Sequence, residues 1–360
     1  MAVPQFHSLK IRDVRPETPD SISVSFDVPP ELRDAYRFRQ GQFLTLREML
    51  DGEDVRRSYS VCVGVPEYER DGELRVAIKR VADGRFSNWA NERLAPGRPI
   101  DVMTPDGRFF TELDASRARH YVGFAGGSGI TPMLSLIKTT LAVEPRSTFT
   151  LIYGNRTLGS IMFLETLEEL KNRHMQRLRL YHVLSDEPQE VDLLSGLLDD
   201  AKCREMLATV VPPGTIDEAF ICGPAPMMDA AEKSLLEAGL PRERIHIERF
   251  GTPAAPAPAR VAAPGAPSAQ VVLVIDGKER HLRVPFDGPA ILDAGLGAGA
   301  HLPYACKGGV CCTCRAKVLE GEVRMDKNYT LEPHELAQGF VLTCQSHPVS
   351  QRVVVSYDER

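Results

Sequence analysis

"PYACKGGVCCTC", residues 303–314, sets Cys306, Cys311, Cys312 and Cys314 within nine positions. Such a cluster reads as a disulfide knot, a zinc site, an iron–sulfur cluster or a buried patch without chemistry. Zinc wants two paired Cys-x2-Cys or Cys/His units. One such pair stands here, Cys311 to Cys314, and Cys306 does not complete a second. The N-terminus, "MAVPQFHSLKIRDVRPETP", has no basic segment followed by an apolar run, so no signal peptide is expected. A cytoplasmic chain is the expectation. In that reducing compartment, clustered cysteines act as metal ligands or redox groups before they act as disulfides.

The iron–sulfur reading fits the spacing. Cys306, Cys311 and Cys314 form C-x4-C-x2-C, and Cys344 follows downstream in "VLTCQSHP". This is the spacing of a plant-type 2Fe–2S site, whose two irons need four thiolates. The loop must also bring backbone N–H groups to the sulfurs. "KGGV" supplies glycines for that close approach. Cys312 falls between ligands and is expected not to be one. The surrounding "LPYACKGGVCCTCRAKVLEGEV" resembles the plant-type ferredoxin family, over residues ~270–360.

Outward from this loop, "GTPAAPAPARVAAPGAPSAQ" is almost all Ala, Pro and Gly. Such a stretch cannot bury a core and is expected to tether the C-terminal residues to the rest of the chain. The 360 residues then divide into three domains and a linker: 1–113, 114–250, linker 251–269 and 270–360. In the first, "SISVSFDV", "GQFLTLRE", "RRSYSVCVG" and "LRVAIKRV" read as strands between Gly and Pro signals. No strong helical period is expected before ~85; a helix is expected at "RFSNWANERL". An antiparallel β-barrel follows. The second domain alternates strands with helices, which predicts a parallel α/β sheet. The third predicts a hairpin, a helix and the cysteine loop, an α+β fold of the β-grasp kind. No run of about 18 apolar residues predicts a membrane span. A net charge of −6 argues against nucleic acid and suits docking on a basic protein surface.

Two motifs in the barrel and two in the α/β domain carry chemistry. Arg57, Tyr59 and Ser60 form R-x-Y-S at a strand end, and Gly84 and Ser87 form G-x-x-S before a helix. An Arg neutralises phosphate, a Tyr covers a ring, and amides at a helix start bind phosphate. "GFAGGSGITPML" is a glycine turn between strand and helix, with Gly126, Gly127 and Gly129 giving the tight path and Thr131 offering a hydroxyl. Its spacing differs from the G-x-G-x-x-G fingerprint. "ICGPAPMM" places Cys222, Gly223 and Pro224 at a strand end, where open α/β sheets bind ligands.

These motifs resemble the ferredoxin–NADP reductase family. The resemblance implies that Arg57 takes the pyrophosphate, Tyr59 lies against the isoalloxazine and Ser60 sits near flavin N5. It implies FAD rather than FMN. It places Cys222, Gly223 and Pro224 beside the nicotinamide, and Glu248 and Phe250 of "HIERF" near the flavin. Arg156 in "YGNRT" can pair with a 2′-phosphate. Asp186 in "LSDEP" stands where NADPH-specific relatives often carry Arg, and a carboxylate there repels phosphate or binds ribose hydroxyls. NADPH is favoured, with NADH open.

The domain order implies a hydride from NAD(P)H to flavin, then single electrons to the cluster and on to an external protein. The whole chain resembles the reductase subunits of phenylacetyl-CoA oxygenase (epoxidase) systems. The "CC" in the ligand loop and "MDKNYTLEP" (325–333) carry that resemblance more particularly than the shared motifs. It implies a di-iron oxygenase as acceptor. The reductase of a Rieske ring hydroxylase or a ketosteroid hydroxylase would share the domain order. A non-enzymatic iron–sulfur sensor, or a flavoenzyme with its own small substrate, stands as a further alternative.

Overall fold

The computed structural model describes residues 4–211, 213–251 and 265–359. Most of the expected tether, residues 252–264, lies outside the described residues. The chain falls into two compact units. One is His7–Val55 with Tyr59–Glu248; the other runs from Arg249 onward and includes Arg56–Ser58 and the residues up to Phe6.

The barrel is built from β1 (Phe6–Thr18), β2 (Ser21–Asp27), β3 (Phe43–Leu50), β4 (Glu53–Ser60), β5 (Leu74–Lys79) and β6 (Pro99–Met103). Their order is β4-β3-β6-β1-β2-β5. Val61, just past β4, bridges Val76 of β5 and closes the sheet. Alternate residues line the interior, as the two-residue strand period requires: Val24 with Phe26, Leu44 with Leu46, Val76 with Ile78. The opposite face of β5 is also covered, since Ala77 packs into the core of the α/β domain together with Cys62. Helix α2 (Arg85–Arg93) lies where the sequence placed it.

A short helix, α1 (Val65–Asp71), was not expected. Seven residues are too few to show a period. It is specified by its ends instead. Glu67 accepts a hydrogen bond from the Gly64 N–H at 2.8 Å, and Gly72 closes the last turn at φ +66°. Lys138 bridges to Glu67 at 3.0 Å, and Thr139 accepts from the Val65 N–H. The helix thereby fixes the barrel to the next domain.

That domain contains β7 (His120–Gly126), α3 (Ile130–Val143), β8 (Thr148–Asn155), α4 (Leu164–Arg173), β9 (Leu178–Leu184), α5 (Asp200–Thr209), β10 (Glu218–Cys222), α6 (Ala225–Glu237) and β11 (Ile245–Glu248). The sheet is parallel, in the order β11-β10-β7-β8-β9. One core lies on the α3 and α4 side and another on the α5 and α6 side. Burial on both faces explains why "LIYGN" and "AFIC" read as near-continuous apolar runs. The order reverses between β7 and β10, which opens a crevice at their carboxyl ends.

The last domain contains β12 (Ser268–Ile275), β13 (Lys278–Pro285), α7 (Ile291–Gly297), β14 (Arg315–Glu320), β15 (Val323–Met325), α8 (Pro333–Ala337), β16 (Phe340–Leu342), β17 (Ser346–Pro348) and β18 (Arg352–Ser356). Its main sheet runs β13-β12-β18-β14-β16, with β12 and β18 parallel. Ile291, Leu292, Val353 and Tyr357 fill the core beneath the cysteine loop.

Candidate functional site

Three strand ends meet in the crevice. Cys222 of β10 is in register with Ala125 of β7 and with Glu248 of β11. Cys222 is fully buried, and burial, with the nearby Glu248, pushes its thiol well above the usual range. It therefore acts as a small uncharged wall. The Ser60 hydroxyl donates to Glu248 Oε2 at 3.3 Å. Glu248 is half-buried, and burial pushes its carboxyl up to about 8, while the Ser60 hydrogen bond pulls the other way. A carboxyl raised in this way can carry a proton and donate it to a hydrogen bond. Ser60, Cys222 and Glu248, far apart in sequence, thus form one group. Phe250 belongs to the other compact unit and is 45% exposed.

The two barrel motifs are joined by aromatic packing. Tyr59 is half-buried, with its ring 5.9 Å from that of Phe86, inside "GRFS". Arg57 precedes it by two residues on β4 and is exposed; its guanidinium donates to the Arg56 carbonyl. Gly84 sits at the start of α2. The Ser87 hydroxyl accepts from the Val81 N–H at 3.2 Å and lies 3.4 Å from the Gly84 carbonyl. Ser87 is thus used to shape the turn.

The glycine turn lies hard against the C-G-P segment. A Cβ on Gly129 would fall 2.0 Å from the Cys222 carbonyl oxygen. Gly126 is bounded in the same way by Pro224, and Gly223 by the Gly126 nitrogen. Gly127 has φ +51°, with open space where a Cβ would stand. Its carbonyl accepts from the Tyr153 hydroxyl at 2.8 Å and from the Ile130 N–H. Thr131, expected to offer its hydroxyl to a phosphate, is 3% exposed and donates instead to the Ser128 carbonyl at 3.0 Å. In a trans peptide the N–H points opposite its carbonyl. Turning the Gly127 and Ser128 carbonyls inward therefore turns the Ser128 and Gly129 N–H groups outward, as anion binding at a helix start requires.

Tyr153 was missed in the sequence. The only signal was a hydroxyl inside a buried apolar strand, which must find a partner. Tyr153→Phe keeps the ring and removes the hydrogen bond. It is expected to raise the KM for NAD(P)H about fivefold to tenfold, the worth of one such bond, and to leave kcat at saturation within about twofold. Steady-state dye reduction checks this; an unchanged KM would show that the turn holds without the hydroxyl.

Arg156 and Asp186 lie side by side past the ends of β8 and β9. The Asp186 N–H donates to the Arg156 carbonyl at 2.8 Å, and both side chains are exposed. At the opposite end of the sheet is a brace the sequence did not announce. Glu218 is bound by His246 at 2.6 Å, by Thr111 at 3.0 Å and by Arg119. Burial alone would raise its carboxyl, yet His246, Thr111 and Arg119 hold it below the usual range.

In the cysteine loop the four expected ligands meet as two pairs, Cys306 with Cys311 and Cys314 with Cys344. The Cys311 thiol and the amides of Gly308, Val310 and Cys311 hold the Cys306 thiol below its usual range. The Gly308 N–H lies 3.2 Å from its sulfur. Among the described residues, no three His, Cys, Asp or Glu side chains converge as a single-ion site. Paired thiols lined by amides are the donor set that a two-iron cluster uses. Cys312 takes φ +56° and places its sulfur 3.2 Å from Thr330 Oγ1, against the domain core.

Comparison with known proteins finds three domain matches along the chain. Residues 8–111 match an oxidoreductase FAD-binding domain, 124–233 an oxidoreductase NAD-binding domain and 273–349 a 2Fe-2S iron-sulfur cluster binding domain. The chain is 47% identical to a subunit of the 1,2-phenylacetyl-CoA epoxidase of Escherichia coli K12, over 99% of its own length and 98% of that protein. It is 35% identical to the ferredoxin reductase component of 3-ketosteroid-9-alpha-monooxygenase of Rhodococcus rhodochrous, over 97% and 96% of the two chains. The solved structure of phthalate dioxygenase reductase shares the fold, at TM-score 0.60, 24% identity and 98% coverage of each chain.

Proposed function

The chain belongs to the ferredoxin–NADP reductase-like reductases of oxygenases that end in a 2Fe–2S ferredoxin domain, and we propose that its electron acceptor is the oxygenase component of a phenylacetyl-CoA epoxidase. It is an NAD(P)H-dependent flavin and iron–sulfur oxidoreductase. The observation that carries the acceptor is the 47% identity to the epoxidase subunit along the whole chain.

Flavin, when bound, supplies the exchange between the hydride that nicotinamide gives and the single electrons that an iron–sulfur centre carries. The chain's own residues hold and orient. Arg57 and the first amides of α2, shaped by Gly84 and Ser87, would take the flavin phosphates. Tyr59 would cover the ring. Ser60 and the Glu248 carboxyl would hydrogen-bond its polar edge, and Cys222, Gly223 and Pro224 would form the wall against which the nicotinamide lies. The outward N–H groups of Ser128 and Gly129 would bind the dinucleotide pyrophosphate. Arg156 would meet a 2′-phosphate, with Asp186 opposing it. Cys306, Cys311, Cys314 and Cys344 would ligate the two irons.

None of the eight cysteines is in a disulfide, which suits a cytoplasmic site. Among the described residues, no helix is long and apolar enough to cross a membrane.

The test is NAD(P)H oxidation by the purified chain mixed with the phenylacetyl-CoA oxygenase component, with and without phenylacetyl-CoA, and with NADPH run against NADH. Oxidation that depends on both oxygenase and substrate is the expected result. Active dye reduction without any coupling would remove this acceptor and favour a ketosteroid or ring-hydroxylating oxygenase.

A further inference from the structure

Two stretches of the ferredoxin domain, "CC" and "MDKNYTLEP", touch one another. The Cys312 sulfur meets Thr330 Oγ1 at 3.2 Å. One residue earlier, the Tyr329 N–H donates to the Gly309 carbonyl, also at 3.2 Å. A Cβ on Gly309 would stand 3.2 Å from the Lys327 carbonyl oxygen, so the two backbones are in close contact. At the other end, the Asp326 N–H donates to the Gln345 carbonyl at 2.9 Å. The Gln345 side chain in turn donates to the Lys307 carbonyl at 2.9 Å. Residues 326–330 therefore form a strap across the loop that carries Cys306 and Cys311 and beside Cys344.

The strap is stiff. Asn328 Oδ1 accepts from the N–H groups of Thr330 and Leu331, and its Nδ2 donates to the Leu331 carbonyl. Asp326 pairs with Arg324 and with His347, and Leu331 is buried as an anchor. Yet Tyr329 is 38% exposed. An aromatic ring held on a rigid backbone loses little entropy on docking. Aromatic anchors also dominate the energy of protein interfaces. An acceptor must come against the cluster loop, because electron transfer weakens steeply with distance, and the strap lies in contact with that loop.

We propose that the Tyr329 strap is the docking surface for the oxygenase component, with the ring seated in an apolar pocket of that protein. This rests on the acceptor reading above. Cys312 then has a role without being a ligand: through Thr330 it holds the strap on the cluster loop.

The experiment first offers the holo-reductase two acceptors, the phenylacetyl-CoA and the 3-ketosteroid oxygenase components. Whichever it reduces is then used with the variants. Tyr329→Ala is expected to raise the KM for that oxygenase about tenfold or more, the scale of an interface anchor. Ferricyanide reduction, iron content and the cluster spectrum are expected to stay at wild-type values. Tyr329→Phe, which keeps the apolar ring, is expected to remain within about threefold of wild type. Equal KM values for wild type and Tyr329→Ala would overturn the docking surface. Reduction of the ketosteroid oxygenase alone would overturn the acceptor reading while the same KM comparison still decides the strap.

Discussion

Cys344→Ser is expected to yield a chain that binds flavin and is reduced by NAD(P)H but has lost its iron–sulfur cluster. Iron content should fall from about two per chain to near zero, because a cluster of this type needs all four thiolates. Reduction of the oxygenase should drop about a hundredfold or more, while ferricyanide reduction stays within about twofold. The loss is of ligation and not of fold. Thr343, next to Cys344, donates to the Cys314 carbonyl at 2.9 Å and is met by the Tyr357 hydroxyl at 2.9 Å. These bonds hold the segment without the thiol. Cys312→Ser is the control and should keep its cluster, since its sulfur faces Thr330. Unchanged iron in Cys344→Ser, or a colourless ferredoxin domain in Cys312→Ser, would contradict the ligand assignment.

Gly129→Ala is expected to slow flavin reduction by NAD(P)H about a hundredfold or more. Backbone dihedrals alone would allow the change, since Gly129 caps the start of α3 at φ −62°, a conformation that Ala adopts freely. The contact decides. A Cβ there would lie 2.0 Å from the Cys222 carbonyl oxygen, which is backbone and cannot rotate away. Overpacking of this kind costs about 1–3 kcal/mol, and displacement of a reacting group by about 1 Å costs roughly a hundredfold in rate. The turn and the C-G-P segment must separate, and both line the crevice. Flavin content and photochemical reduction of the flavin should be unaffected. Wild-type NAD(P)H kinetics in Gly129→Ala would mean that the contact does not set the geometry of the site.

What the sequence made legible was local. The Cys306–Cys314 spacing, the glycine turn and the R-x-Y-S strand end each lie within a dozen residues, and the strand-then-helix alternation is read one short element at a time. What it left hidden depends on distant partners. The closure of the barrel is a bridge from Val61 to Val76. Helix α1 is set by its capping groups. The hydroxyl of Thr131 was legible as a phosphate ligand only because the Ser128 carbonyl that takes it could not be seen. Tyr153, the Glu218–His246 brace and the Cys312–Thr330 contact are tertiary pairings to which no period or motif points. Ser60 and Glu248 were placed near one cofactor by family resemblance, while their mutual hydrogen bond required the fold.

The central claim is that one chain carries electrons from nicotinamide to its own cluster. Anaerobic rapid mixing of the holoprotein with NADPH, and separately with NADH, tests it most directly, with flavin and cluster absorbance followed together and no second protein present. The account predicts flavin bleaching first, then loss of the oxidised cluster spectrum within the same turnover, with the cluster phase absent in Cys344→Ser. Full flavin reduction beside a cluster that stays oxidised would contradict it.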